Sequence, residues 1–108
     1  MTRDEAHTKI KADFAAVVGK VILVLEFTGY RNDNMMSFRC DGVKARVTPT
    51  NDADLFHAPD LEWIDPYWNL DLIDPPAEWS DLTSCWMYGT SYNIVTDKSD
   101  PARMEIPA

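Results

Sequence analysis

The chain has 108 residues, the size of one ordinary domain, and 45% of them are hydrophobic, too many for a disordered chain. Eighteen acidic residues against ten Lys and Arg give a formal charge of −8, which argues against polyanionic partners such as DNA, RNA or an anionic membrane surface. Two cysteines, Cys40 and Cys85, are too few for a disulfide framework, and a domain of this length needs neither a disulfide nor a metal to bury a core.

Thr2-Arg3-Asp4-Glu5 matches the capping-box pattern, with Thr2 at the N-cap and Glu5 at the third helical position. Ala6, Ile10, Phe14 and Val17 follow at helical spacing and Gly19 supplies a stop, so the spacing predicts an amphipathic helix over about residues 3–18. Val21 to Phe27 is apolar at almost every position and reads as a strand covered on both faces over much of its length. Residues 29–34 are turn-rich.

Met36, Phe38 and Cys40 alternate with polar neighbours up to Asp41-Gly42, and Val43, Ala45 and Val47 alternate after it. That pattern predicts a two-residue hairpin with Cys40 opposite Val43, Arg39 opposite Lys44, Phe38 opposite Ala45 and Ser37 opposite Arg46. Residues 48–60 read as a loop marked by Pro49, Asn51, Asp52, Asp54 and Pro59. Trp68, Leu70 and Leu72 alternate as a strand that Asp74-Pro75-Pro76 ends. Cys85–Tyr88 and Tyr92–Thr96 read as a last hairpin across Gly89-Thr90-Ser91. Residues 97–108 carry no periodicity and read as an extended or frayed tail after a single domain over 1–96. The fold expected is α+β, with one N-terminal helix packed on a mostly antiparallel sheet of about five strands.

The charge is polarised. Residues 1–46 hold eight basic and six acidic side chains, a balance of +2; residues 47–97 hold ten acidic side chains and no Lys or Arg; the last eleven residues balance. Trp63, Trp68, Trp79 and Trp86 all fall in the acidic segment, with Phe56, Tyr67, Tyr88 and Tyr92. Two readings coexist. In one, Arg39, Lys44 and Arg46 form a basic stripe that neutralises part of the acidic half within the fold. In the other, the acidic aromatic half faces a basic partner, with aromatic anchors and carboxylates that steer encounter. Trp68 belongs to the core on its alternation with Leu70 and Leu72, and Trp86 is ambiguous in its strand. Trp63 and Trp79, each after a glutamate and beside a proline turn, are the candidate anchors.

No catalytic motif emerges. Cys40 falls on an apolar face, and His57 with Cys85 is the one nameable Cys–His pair, without a flanking motif. The glycines are scattered, so no phosphate-cradling loop is present. The two cysteines are too far apart for a zinc pattern, and Asp52-Ala53-Asp54 lacks the glycine and glutamate of a calcium loop. The expectation is therefore a non-enzyme without cofactor or metal.

The leading functional expectation is a small acidic protein-binding inhibitor or neutraliser. In physical profile it resembles immunity proteins, antitoxins and phage anti-defence proteins, which occlude a basic partner such as a toxin, nuclease or defence effector. The partner-binding set is Asp60, Glu62, Trp63, Asp65, Asp71, Asp74, Glu78, Trp79 and Asp81, while Arg39, Lys44 and Arg46 could meet an anion or ligand. A rival is a protein that binds or sequesters a nucleotide-like ligand by aromatic stacking. A third is a structural subunit that forms a homo-oligomer through a strand edge. Met1 to Ile10 has no continuous apolar stretch, and Phe14 to Phe27 is too short to span a bilayer. The expected compartment is thus cytoplasmic, with reduced thiols and no membrane partner.

Overall fold

Helix α1 (Arg3–Ala15) starts on the capping box. The Thr2 hydroxyl accepts from the Glu5 N–H at 3.1 Å, and the Glu5 carboxylate accepts from the Thr2 N–H at 3.3 Å, satisfying donors that a bare helix end leaves open. Ala6 and Ile10 are buried. The helix ends before residue 18, and Gly19 (φ +78°) turns the chain in the left-handed region where a side chain is strained. The Gly19 N–H then donates to the Val47 carbonyl at 2.7 Å, and the Val47 N–H to the Lys20 carbonyl at 3.1 Å, which stitches this turn to the sheet. The computed structural model describes residues 1–31 and 42–106.

Six strands form the main sheet: β1 (Val21–Val24), β2 (Thr28–Arg31), β3 (Val43–Val47), β5 (Tyr67–Ile73), β6 (Leu82–Tyr88) and β9 (Met104–Glu105). Their order is β2-β6-β5-β3-β1-β9, and every pairing is antiparallel. A second sheet of three short strands, β4 (Trp63–Ile64), β7 (Ser91–Asn93) and β8 (Ser99–Asp100), runs in the order β4-β7-β8. The α+β class and the mostly antiparallel sheet hold, with strand count and layout richer than expected: six strands and a separate group of three.

The anticipated hairpin through Asp41-Gly42 falls largely on residues 32–41, outside those described. Both hydrogen-bonding edges of β3 are occupied, by β1 and by β5. The expected hairpin of Cys85–Tyr88 with Tyr92–Thr96 is also corrected: β6 pairs β2 and β5, whereas β7 pairs β4 and β8. The cause lies in Asn93, which is 3% exposed and whose Oδ1 accepts from the Val95 and Thr96 N–H groups, both at 2.9 Å. That side-chain turn ends β7 after three residues and sends the chain back as β8. Within 97–106, residues 99–100 and 104–105 are extended and paired, one pair in each sheet.

The continuous apolar run from Val21 is a strand only to Val24. Leu25 donates its N–H to the Arg103 carbonyl at 2.9 Å, and the bend that follows carries Phe27 into the core. The expected loop over 48–60 contains one helical turn, α2 (Asp52–Leu55), capped by Asn51, whose Oδ1 accepts from the Asp54 N–H at 2.9 Å.

One core results. Ile22, Val24, Ala45, Val47, Trp68, Leu70 and Met87 project from one face of the main sheet and meet Ala6 and Ile10 of α1, Leu55 of α2 and Ile64 of β4. Each large side chain so buried stabilises the fold by about 1.5–3 kcal/mol before entropy is counted. Trp68 sits at 2% exposure in this core, as its alternation with Leu70 and Leu72 implies.

Candidate functional site

Strand periodicity decides which face the other aromatic residues occupy. Because Trp68 and Met87 pair across β5 and β6 and point into the core, their neighbours Tyr67, Tyr88 and Trp86 point to the opposite face. Tyr67 stands opposite Tyr88, and Asn69 opposite Trp86. The rings meet: Tyr67 and Trp86 centroids are 4.3 Å apart, Trp86 and Tyr88 are 5.0 Å apart edge to face, and Tyr67 and Tyr88 are 5.4 Å apart. His57, just beyond α2, stacks on Tyr67 at 4.4 Å, and its Nε2 lies 3.2 Å from the Tyr67 hydroxyl. Tyr88 caps the group at 47% exposure.

Burial, with Tyr88 and Asp65 nearby, pushes the Tyr67 phenol up to about 12, so it stays protonated and can donate to His57 Nε2. The other ring nitrogen, His57 Nδ1, is buried without a hydrogen-bond partner among the described residues. The cluster is thus a rigid aromatic platform built on adjacent strands, with Asp71 and Asn69 on the same face.

The predicted partner-binding residues occupy separate places. Asp60 turns inward on its own chain: its Oδ1 accepts from the Glu62 and Trp63 N–H groups, both at 2.8 Å, and those bonds hold its carboxyl below the usual range. Trp63 is half-buried in β4, with Glu62 exposed just before it. Asp65 lies on a cleft described below. Asp71 sits directly across the strand pair from Arg46, which also donates to the Gly19 carbonyl at 2.7 Å. Lys44, Asp74, Glu78 and Trp79 line one shallow groove at the end of β3 and β5. Trp79 packs edge-on against the buried Phe27, ring centroids 5.6 Å apart, so its indole belongs largely to the core. Asp81 is half-buried nearby in sequence. Arg39 is outside the described residues.

The structure places basic beside acidic candidates twice, Arg46 across the strands from Asp71 and Lys44 in one groove with Asp74 and Glu78, and neither place forms an ion pair among the described residues. It does not gather the nine acidic and aromatic candidates onto one surface. Tyr67, Trp86 and Tyr88 were missed as a group. The signal was in the sequence: Tyr67 is out of phase with Trp68, Leu70 and Leu72, as Trp86 and Tyr88 are with Met87.

A cleft of about 300 Å³ opens beside Tyr88, between the ends of the two sheets. Among the described residues, Glu26, Asp65 and Asp100 bring carboxylates to its lining and Arg103 a cation. Arg103 Nε reaches Glu26 Oε2 at 3.5 Å. Ser91, at 6% exposure, lies in its wall.

Cys85 has the core parity of Met87, and burial pushes its thiol up to about 11, which disfavours the thiolate a nucleophile needs. On His57, Nε2 is engaged with the Tyr67 hydroxyl and Nδ1 is buried. Among the described residues no three His, Cys, Asp or Glu side chains converge as a metal site would require, and no described helix is long and apolar enough to cross a membrane. No protein-family model, curated protein or solved structure matches this α+β chain.

Proposed function

We propose that the chain is a non-enzymatic binding domain that docks a basic protein through its aromatic sheet face, acting as an inhibitor or neutraliser. The observation that carries this reading is the contiguous Tyr67–Trp86–Tyr88 cluster, with Tyr88 at 47% exposure on a face the core does not use. Rigid aromatic residues of this kind supply most of the affinity in protein interfaces. The ten carboxylates of residues 47–97 add the steering charge for a basic partner. The acidic anchor set is thereby revised: Tyr67, Trp86 and Tyr88 replace Trp79 at the centre, and Asp65 and Asp71 flank them.

A phosphate-bearing ligand is disfavoured in the cleft beside Tyr88, because among the described residues its lining holds Glu26, Asp65 and Asp100 against Arg103, which lies beside Glu26. The test is affinity capture from the native host with wild-type chain and with Trp86→Ala. A basic protein retained by wild type at about 50 mM salt, weakened at about 500 mM and lost in Trp86→Ala is the expected result. Equal capture by both chains, or capture indifferent to salt, would overturn the reading.

A further inference from the structure

We propose that His57 is the positioning residue of the aromatic face, holding the Tyr67 ring in the orientation a docked partner meets; this inference rests on that face being the docking surface. Tyr67 has two close ring neighbours. Trp86 packs on it with centroids 4.3 Å apart, and His57 stacks on it at 4.4 Å with 25° between the planes. His57 also reaches the far end of the ring, where its Nε2 lies 3.2 Å from the hydroxyl. The main chain fixes the imidazole there. The His57 N–H is directed at the Asp54 carbonyl of α2, 3.4 Å away, and the His57 carbonyl accepts from the Asp65 N–H at 2.7 Å, two residues before Tyr67. The Pro66 carbonyl in turn accepts from the Gly89 N–H at 2.9 Å, so the backbone leading into Tyr67 is pinned as well.

The second ring nitrogen sets this contact apart from packing. Nδ1 is buried and has no hydrogen-bond partner among the described residues. Such an atom costs stability that a phenyl ring, equally planar and equally able to stack, does not cost. For the fold alone an imidazole is therefore a poor choice at this position. What it adds over a phenyl ring is Nε2 against the Tyr67 hydroxyl, which fixes where that hydroxyl and its ring stand.

Positioning has a kinetic consequence that direct contact does not share. When Tyr67 holds the competent orientation for only a fraction of the time, association slows by that fraction. Dissociation is unchanged, because the bound complex is the same once formed. Removing a side chain that touches the partner acts chiefly on dissociation instead. Rigid anchors bind well because little of their freedom is left to lose, and His57 supplies that order to Tyr67 before the partner arrives.

Two measurements on wild type, His57→Phe, His57→Ala and Trp86→Ala test this, with thermal melts to identify any variant that fails to fold. The first is NMR of the free protein with ¹³C-labelled tyrosine rings. Ring-to-ring NOEs between Tyr67 and Trp86 should be strong in wild type and several-fold weaker in folded His57→Ala. The second uses the basic protein captured by the wild-type chain as the probe and measures its association and dissociation rates. Association should slow about tenfold in His57→Ala and about threefold in His57→Phe, with dissociation unchanged in both. His57→Phe should do so with a urea midpoint no lower than that of wild type, an outcome that a merely structural histidine does not give. Undiminished NOEs in folded His57→Ala, wild-type association in both His57 variants, or an effect confined to dissociation would overturn the positioning role. The two readings fail separately. Loss of capture in Trp86→Ala with wild-type association in His57→Ala removes the positioning role and leaves the face. Weakened NOEs in His57→Ala together with undiminished capture by Trp86→Ala remove the face, and His57 then orders a cluster that serves the fold alone.

Discussion

Gly89 lies so close beneath Trp68 that a Cβ added to it would stand 2.4 Å from the indole Nε1, nearer than side-chain atoms approach without something moving. Trp68 fills the middle of the core, so it has little room to shift. Gly89→Ala is expected to lower stability by about 1–3 kcal/mol, read as an earlier urea midpoint at unchanged slope. An unchanged midpoint would mean that the indole can re-seat. The ionisable residues around the core give a second expectation. Tyr67 and Tyr92 are held up to about 12, chiefly by burial, with Asp13 assisting at Tyr92 through its hydrogen bond to the phenol. Burial likewise holds Cys85 up to about 11. A phenol or thiol whose folded pKa is raised loses its proton first in the unfolded chain. The stability it contributes is complete below its ordinary pKa and disappears as pH rises to the folded value. The urea midpoint should hold steady to about pH 8.5 and then fall through about pH 10–12, less steeply in Tyr92→Phe. A midpoint flat to pH 11 in wild type would contradict the burial of these groups.

Elements whose signals are local were legible in the sequence; elements whose partners are distant were not. Thr2 and Glu5 cap α1 within their own four residues, and the alternation of Trp68, Leu70 and Leu72 is a property of β5 alone. The choice of partner for β7 is different. Gly89, Thr90 and Ser91 offer a plausible turn, but β6 already has β2 and β5 on its two edges, so β7 pairs with β4 and β8. Nothing inside residues 85–96 reports that competition. The same occupancy of both edges by distant strands holds for β3. As for the candidate site, the charge polarity was readable, but whether Trp79 was anchor or core depended on Phe27, more than fifty residues earlier. Asn93 is where the sequence could have shown the turn, since a buried Asn beside Ile94-Val95-Thr96 signals a side-chain acceptor. Replacing Asn93 by Ala strips two backbone N–H groups of their acceptor, and a loss of about 1–3 kcal/mol should follow. Hydrogen exchange should quicken first at Val95, Thr96 and the β7–β8 pair. Protection there equal to wild type would show that the turn stands without the side chain.

At the scale of the whole molecule the electrostatic balance is a contest between attraction and repulsion. Attraction is represented among the described residues by the ion pairs of Arg103 with Glu26 and of the Met1 amino group with Asp97, with Arg46 across from Asp71 and Lys44 sharing a groove with Asp74 and Glu78. Most of these groups are exposed or half-exposed, where a pair contributes only about 0–1 kcal/mol. Repulsion comes from the net charge of −8 held within a body of 44 × 34 × 21 Å, most of it from the ten carboxylates of residues 47–97. Repulsion therefore dominates, and it acts over distances that salt can screen, since the Debye length falls from about 30 Å at 0.01 M to about 10 Å at 0.1 M. Added sodium chloride should raise the Tm at pH 7. Most of the rise should come below about 0.15 M, because beyond that the screening length is already short against the molecule. Near the isoelectric point of about 4.5 the net charge vanishes and the salt effect should largely disappear. A Tm that falls with salt at pH 7 would show that local attractions outweigh the net charge, and the acidic half would then be a neutralised part of the fold, with little field left to steer a partner.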